Sequence, residues 1–241
     1  MIALNEKRTG NKVCISVSAN SVQELSRKVN LARRLQPTYI ELRIDHIDGI
    51  TRPKVQDKLV RLIRGDIEIL TVRRRSEGGK FSGSESERIS LISKLIARAE
   101  PRFVDVESRT LLSHADEFRT ILDNSRTTRL IASYHSFNSC PSTSKLWSQV
   151  RTIEKRFLNW LFAVKIVCMA RQFGDNERIL SLYRNKRKTS LIAFCMGSLG
   201  IFSRVACVRL GSPLTYSSLP GEVVAPGQLD AISMNQLLSG M

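Results

Sequence analysis

The sequence is short of aromatic residues, of histidine and of acids. Only 6% of its 241 residues are aromatic, three are histidine, and 22 Asp and Glu face 38 Lys and Arg. So few rings offer little for bases to stack on, which argues against a single-stranded nucleic-acid platform. The five cysteines, Cys14, Cys140, Cys168, Cys195 and Cys207, are odd in number, and no two form a C-x-x-C pair. That spacing speaks against a zinc site or a disulfide framework. Cys14, Cys168 and Cys195 lie in apolar runs, where a free thiol packs as a small hydrophobe. No charged-then-apolar leader opens the chain, and no apolar run reaches the roughly 18 residues that span a bilayer. The expectation is a protein of a reducing cytoplasm with no membrane partner.

What is present is enough apolar material for one substantial core, at 42% hydrophobic residues. The formal net charge of +16 is spread along the chain, with 23 bases and 16 acids in residues 1–120 and 15 and 6 in residues 121–241. Such an excess suits an anionic partner, whether nucleic acid, membrane or small molecule, and equally a solvated basic surface. The one dense basic stretch, Arg184-Asn-Lys-Arg-Lys188, ends a predicted helix, where it complements the dipole.

Eight short apolar runs recur, at Val13–Val17, Thr38–Leu42, Ile67–Val72, Phe103–Val106, Arg129–Tyr134, Leu161–Val167, Leu191–Phe194 and Leu214–Leu219. Most are continuously apolar rather than alternating, as parallel strands buried on both faces must be. The segments between them carry helix signals. Ser21-Val-Gln-Glu24 and Ser84-Glu-Ser-Glu87 match the capping box, and Ile89, Leu91, Ile92, Leu95 and Ile96 form a helical stripe. Weaker helices are predicted over 54–64, 109–123, 143–158, 174–187, 198–210 and 228–238. Eight strand–helix repeats point to a (β/α)8 TIM barrel forming one domain over 1–241, with an open doubly wound sheet as the alternative.

In a barrel the active site forms at the C-terminal ends of the strands, so polar residues there are the candidates. They are Ser16, Glu41 with Arg43, Arg73, Glu107, His135 and, inside its run, Lys165. Lys165 is the only charge from Leu161 through Met169. Desolvation disfavours its ammonium and frees the amine as a nucleophile for carbonyl carbon, unless a carboxylate such as Glu107 pairs with it. His135 is the one histidine at a strand end, suited to general acid–base work or to a hydrogen-bonded core role; His46 and His114 read as loop and helix-surface residues. Arg73-Arg-Arg-Ser-Glu77-Gly-Gly79 puts a guanidinium at the mouth, a bidentate reader of carboxylates, though a solvated loop has the same composition. Ala225-Pro-Gly-Gln228 is a turn from which Gln228 could reach a pocket.

Together these residues resemble type I 3-dehydroquinate dehydratase, the Schiff-base class of the shikimate pathway. The resemblance runs through Glu41-Leu42-Arg43-Ile44-Asp45, Arg73 with Glu77-Gly-Gly79, Tyr134-His135-Ser136-Phe137, Lys165-Ile-Val-Cys-Met169, Phe202-Ser-Arg204 and Ala225-Pro-Gly-Gln228. It implies a barrel without metal or cofactor, a homodimer, and no nucleic-acid partner. The substrate would be a small anion, 3-dehydroquinate, dehydrated to 3-dehydroshikimate. By the same resemblance Lys165 forms the imine with the C3 ketone, and His135 moves the protons at C2 and at the C1 hydroxyl. Glu77 orients His135, and Arg204 clamps the substrate carboxylate. Ser16, Glu41, Leu42, Arg43 and Arg73 fall among the substrate contacts. Asp45 would hold the arginines, Gln228 would close the lid, and Met196 with Tyr216 would wall the imine. Three departures stand out: Val224 replaces a serine four residues before Gln228, Phe194 replaces a wall methionine, and the loop Ser217–Val224 is one residue longer. They bear on lid closure and affinity more than on the chemistry. Another Schiff-base barrel, such as an aldolase, would keep Lys165 but has no need of His135, Glu77 and Arg204 together.

Overall fold

All eight apolar runs form parallel strands, each inside or within two residues of its expected limits. In the computed structural model, which describes residues 12–240, they are β1 (Val13–Ser18), β2 (Tyr39–Arg43), β3 (Glu68–Thr71), β4 (Phe103–Glu107), β5 (Arg129–Ser136), β6 (Leu161–Met169), β7 (Ser190–Met196) and β8 (Thr215–Ser217). Residues 1–11 and Met241 of the expected domain lie outside the described residues. The strand order is β7-β6-β5-β4-β3-β2-β1-β8, a (β/α)8 barrel closed except between β7 and β8. The runs are apolar throughout because successive side chains serve two layers. Val13, Ile15 and Val17 of β1 join the large cluster between strands and helices, whereas Cys14 joins a second cluster with Ile69, Phe103, Ile131 and Ile192 inside the barrel.

The helices are α1 (Val22–Arg34), α2 (Pro53–Leu62), α3 (Glu85–Ala99), α4 (Ser108–Ser113), α5 (Ala115–Asp123), α6 (Thr143–Phe157), α7 (Gly174–Leu180), α8 (Ile201–Ala206) and α9 (Ala231–Ser239). The helix expected over 109–123 is broken at His114, which leaves the helical region at φ −128° and ψ 42°. The one expected over 174–187 stops at Leu180 and finishes as a 3-10 turn, and that over 198–210 keeps one short α-helix after a 3-10 turn. The box at Ser84 forms fully: Glu87 N–H donates to Ser84 Oγ at 3.2 Å, and Ser84 N–H to Glu87 Oε2 at 2.7 Å. At Ser21 only the forward half forms, because the Glu24 carboxylate takes the N–H of Asn20 instead. Ser84→Ala is expected to lower stability by about 1 kcal/mol, read as a shift of the urea midpoint at unchanged slope.

The open seam between β7 and β8 is bridged by α8. The N–H of Cys195 on β7 donates to Ser203 Oγ at 2.9 Å, and Thr215 Oγ1 on β8 donates to the Arg204 carbonyl at 2.7 Å. Gly200 permits this approach, since a Cβ there would lie 2.6 Å from the Cys195 backbone. A helix residue, Arg204, thereby enters a space that strands line elsewhere.

Candidate active site

Inward-facing strand positions converge on a cavity of about 110 Å³ at the C-terminal ends of the strands. Lys165 lies at its floor with a 5% exposed side chain. It is not alone in the barrel, but its partner is not Glu107. Its Nζ donates to Asp105 Oδ2 at 3.0 Å and lies 3.6 Å from Glu41 Oε1, while the Tyr216 ring centroid is 3.9 Å away. Glu41 is held from both sides, by Ser16 Oγ at 2.6 Å and Thr71 Oγ1 at 3.0 Å. Asp105 accepts from Arg73 Nη2 at 2.9 Å and from Ser133 Oγ at 2.6 Å. Burial alone would raise the Asp105 carboxyl, yet Arg73 and Lys165 hold it below the usual carboxylate range. It is therefore an anion, and its charge anchors two cations.

Glu107 works from behind. One oxygen takes the Arg74 N–H at 3.1 Å and lies 3.3 Å from Arg73 Nη1; the other accepts from the buried Arg88 of α3 at 2.7 Å. By fixing the backbone of Arg74 it also sets the start of the short 3-10 turn Arg75–Glu77. That turn delivers Glu77 to His135, with Oε2 3.1 Å from Nδ1. Desolvation, together with the Arg73 and Lys165 cations, holds the imidazole well below its ordinary 6.5. Glu77 moves the other way, pushed up to about 7 by burial and by Glu107 and Asp105, with Arg73 opposing. A neutral imidazole beside a carboxyl that titrates near neutrality is the composition of a general base with a tunable orienting partner.

Above Glu77's transition its carboxylate accepts from Nδ1–H and leaves the other ring nitrogen with a free lone pair. Below it, the carboxyl donates its own proton to Nδ1 and shifts the tautomer, which removes the base. kcat/KM is expected to fall about tenfold per pH unit below pH 7. Glu77→Gln should flatten that limb; a wild-type profile flat down to roughly pH 5 would exclude the pairing from catalysis.

The arginines of the mouth are treated differently. Arg43 makes a two-pronged pair with Asp45, both contacts at 3.0 Å, and Asp45 also accepts the Lys80 N–H. Asp45 thus holds Arg43 only; Arg73 belongs to Asp105 and Glu107. His46, expected in a loop, sits behind this pair at 3.4 Å from Arg43 Nη2. Arg204 is 2% exposed and has no acid partner among the described residues. It donates to the Tyr216 carbonyl at 3.3 Å and the Pro226 carbonyl at 3.5 Å, its Nε is unpartnered, and its guanidinium lies over the Phe194 ring at 4.5 Å. Desolvation, uncompensated by an acid, brings it down to about 10. A buried cation in that state is a receptor for an anion.

The roof is the loop between Ser218 and Asp230, whose ends pair through Ser218 N–H to Leu229 O at 3.0 Å and Ala231 N–H to Ser218 O at 2.9 Å. Gln228 Oε1 accepts the N–H groups of Val224 and Ala225 at 3.2 and 3.0 Å, which folds the loop inward. Gly227, at φ +67°, lies so close to Gly197 that a Cβ would sit 2.2 Å from its carbonyl oxygen. Lys28 ties the loop to α1 through Glu222 at 2.9 Å.

Of the expected residues, Ser16, Glu41, Arg43, Arg73, Glu77, His135, Lys165, Met196, Arg204, Tyr216 and Gln228 line the cavity. Asp45 does not line it but pairs with Arg43, and Leu42, expected among the substrate contacts, stands apart from it. Its side chain alternates away from Glu41 and Arg43 into the cluster between strands and helices, 0% exposed, and does not line the cavity. Residues not expected are Asp105, Ser133, Thr71 and Arg88. Asp105 had a signal: in Phe103-Val-Asp-Val-Glu107 it shares the inward parity of Phe103 and Glu107.

The chain matches the family described as Type I 3-dehydroquinase over residues 13–241. It is 36% identical over 207 residues to a 3-dehydroquinate dehydratase of Pyrobaculum aerophilum, covering 85% of this chain and 64% of that protein. To the 3-dehydroquinate dehydratase of Desulfotalea psychrophila it is 32% identical over 232 residues, 95% of this chain and 97% of the relative. The crystal structure of 3-dehydroquinate dehydratase from Geobacillus kaustophilus superposes with a TM-score of 0.85 at 25% identity, covering 96% of this chain and 91% of that one.

Proposed function

This chain belongs to the type I 3-dehydroquinase family, and we propose that Lys165, His135 and Arg204 carry its reaction. That reaction is the dehydration of 3-dehydroquinate in the shikimate pathway, a hydro-lyase step that proceeds through a Schiff base. His135, its imidazole neutral, takes a proton from the Lys165 ammonium, and the freed amine attacks the ketone carbon; the carbinolamine recovers that proton on its hydroxyl, loses water and leaves a protonated imine. The positive charge then stays where the ammonium was, so Asp105 and Glu41, already 3.0 and 3.6 Å from Nζ, stabilise it without rearranging. The iminium acidifies the neighbouring C–H, and His135, oriented by Glu77, takes that proton to give an enamine. Expulsion of the hydroxyl, protonated by the same imidazole, completes the elimination, and hydrolysis releases the amine.

The observation that carries this reading is the pairing in one cavity of a buried lysine with a buried arginine that lacks an acid. One supplies the nucleophile for a ketone and the other the seat for a carboxylate. Arg43, Glu41 and Ser16 face the ring hydroxyls, and Gln228 with its loop excludes water. A homodimer, a cytoplasmic location and the lack of a nucleic-acid partner belong to the same proposal; no helix of the described residues is long and apolar enough to cross a membrane. The test is reduction with borohydride in the presence of 3-dehydroquinate, followed by peptide mapping. A stable adduct is expected on Lys165. An adduct on another residue, or none, would overturn the assignment.

A further inference from the structure

Resting on that reading of the site, we propose that Phe194 positions Arg204, and that the paired rings of Phe194 and Tyr216 set the distance between the carboxylate seat and the imine-forming amine. Each of the two cations lies over one ring. The Arg204 guanidinium is 4.5 Å from the Phe194 centroid, and Lys165 Nζ is 3.9 Å from the Tyr216 centroid. The rings touch each other, with centroids 6.2 Å apart and planes tilted by 47°. Both are buried, at 2% and 3% exposure, so neither has room to swing. Each cation thus has a ring for a neighbour, and the two rings are neighbours of each other.

The rings matter because no acid in the described structure opposes the charge of Arg204. Arg43 and Arg73 are aimed by Asp45, Asp105 and Glu107, and those acids also neutralise them. An acid beside Arg204 would compete with the incoming carboxylate for the same fork of N–H groups. A ring face attracts the guanidinium through its quadrupole and offers no competing anion. The backbone carbonyls of Tyr216 and Pro226 fix two nitrogens, and the ring fixes the plane. Position matters as well: Phe194 is on β7 and Tyr216 on β8, the two strands without a shared ladder. Their ring contact therefore crosses a seam that has no ladder hydrogen bonds and is otherwise bridged through α8. A methionine at 194, which the resemblance implies for relatives, would fill the volume but supply no ring face, so in this chain it is the phenylalanine that holds the plane of the guanidinium.

Phe194→Leu separates a positioning role from a wall. The KM for 3-dehydroquinate is expected to rise about tenfold, the scale of a desolvated cation–π contact, with kcat changed less than about twofold. Phe194→Tyr keeps the ring and should hold KM within about twofold of wild type. Phe194→Met, of similar volume without a ring, carries the same expectation as Leu and serves if the Leu variant does not fold. The carboxamide of the substrate, tested as a competitive inhibitor, should bind wild type and Phe194→Leu alike, because it brings no anion to Arg204. An unchanged KM, or an equal loss for acid and carboxamide, or a parallel fall in kcat, would each overturn the positioning role. Borohydride trapping of wild type, run alongside, isolates the underlying reading: absence of a Lys165 adduct sinks that reading, whereas trapping with an unchanged KM sinks only the role of Phe194.

Discussion

Lys165→Met is expected to abolish borohydride trapping and to lower kcat by about 10⁴-fold or more, the scale seen when a covalent nucleophile is removed. Among the described residues no other lysine lines the cavity, so no second amine can take over at the floor. The elimination would then have to pass through an enolate, without the iminium as an electron sink. Methionine matches the length of the lysine stem, so the loss reports chemistry rather than a hole. Removing the ammonium does not strand Asp105, which keeps Arg73 at 2.9 Å and Ser133 at 2.6 Å. A variant that folds with a thermal midpoint near wild type is therefore expected. Turnover above about a hundredth of wild type in that folded protein would remove Lys165 from the covalent role.

His135→Ala should divide the reaction in two. Imine formation needs an amine and a ketone, so trapping with borohydride is expected to persist, more slowly. Proton transfer at carbon and at the departing hydroxyl loses its agent, and kcat should drop about 10³-fold, within the range for general acid–base groups. Glu77 tolerates the loss of its partner because its carboxyl, near 7, takes up a proton at little cost. Rapid mixing followed by quench should show imine-bound enzyme accumulating, whereas wild type shows turnover. If turnover is near normal, or trapping vanishes along with it, His135 is not the proton carrier.

The charged residues of the site were readable where a parallel strand left them no other explanation. Lys165 and Glu41 break apolar runs at inward positions, and a charge there must face the barrel. Asp105 is less legible because it lies two residues short of a strand end, although its parity with Glu107 marks it as inward. Leu42 shows the converse: it borrows a role from Glu41 and Arg43, and the two-residue period of the strand turns it away from both. The break at His114 left no trace, since Leu111, Phe118 and Leu122 keep an apolar face through it. Arg88 was hidden for another reason. A cation on a helix stripe reads as surface until the carboxylate of Glu107 is known to wait beneath it. Nor does the order of strands in a sequence reveal which two fail to join; that depends on α8 occupying the gap.

That gap has a consequence for how the molecule comes apart. A closed ring of eight strands has no preferred place to open, whereas this one is a strip with two free edges, and one edge, β8, is three residues long. Local fraying is cheapest along such an edge. The first thing it would release is the arginine held there by α8. With the proposed roles of the two residues, a substrate joined to β6 through Lys165 and to α8 through Arg204 would span the same edge from within. While bound in that way, the molecule being consumed would also be a clasp, and the barrel would be most tightly fastened in the complexes in which it does its chemistry.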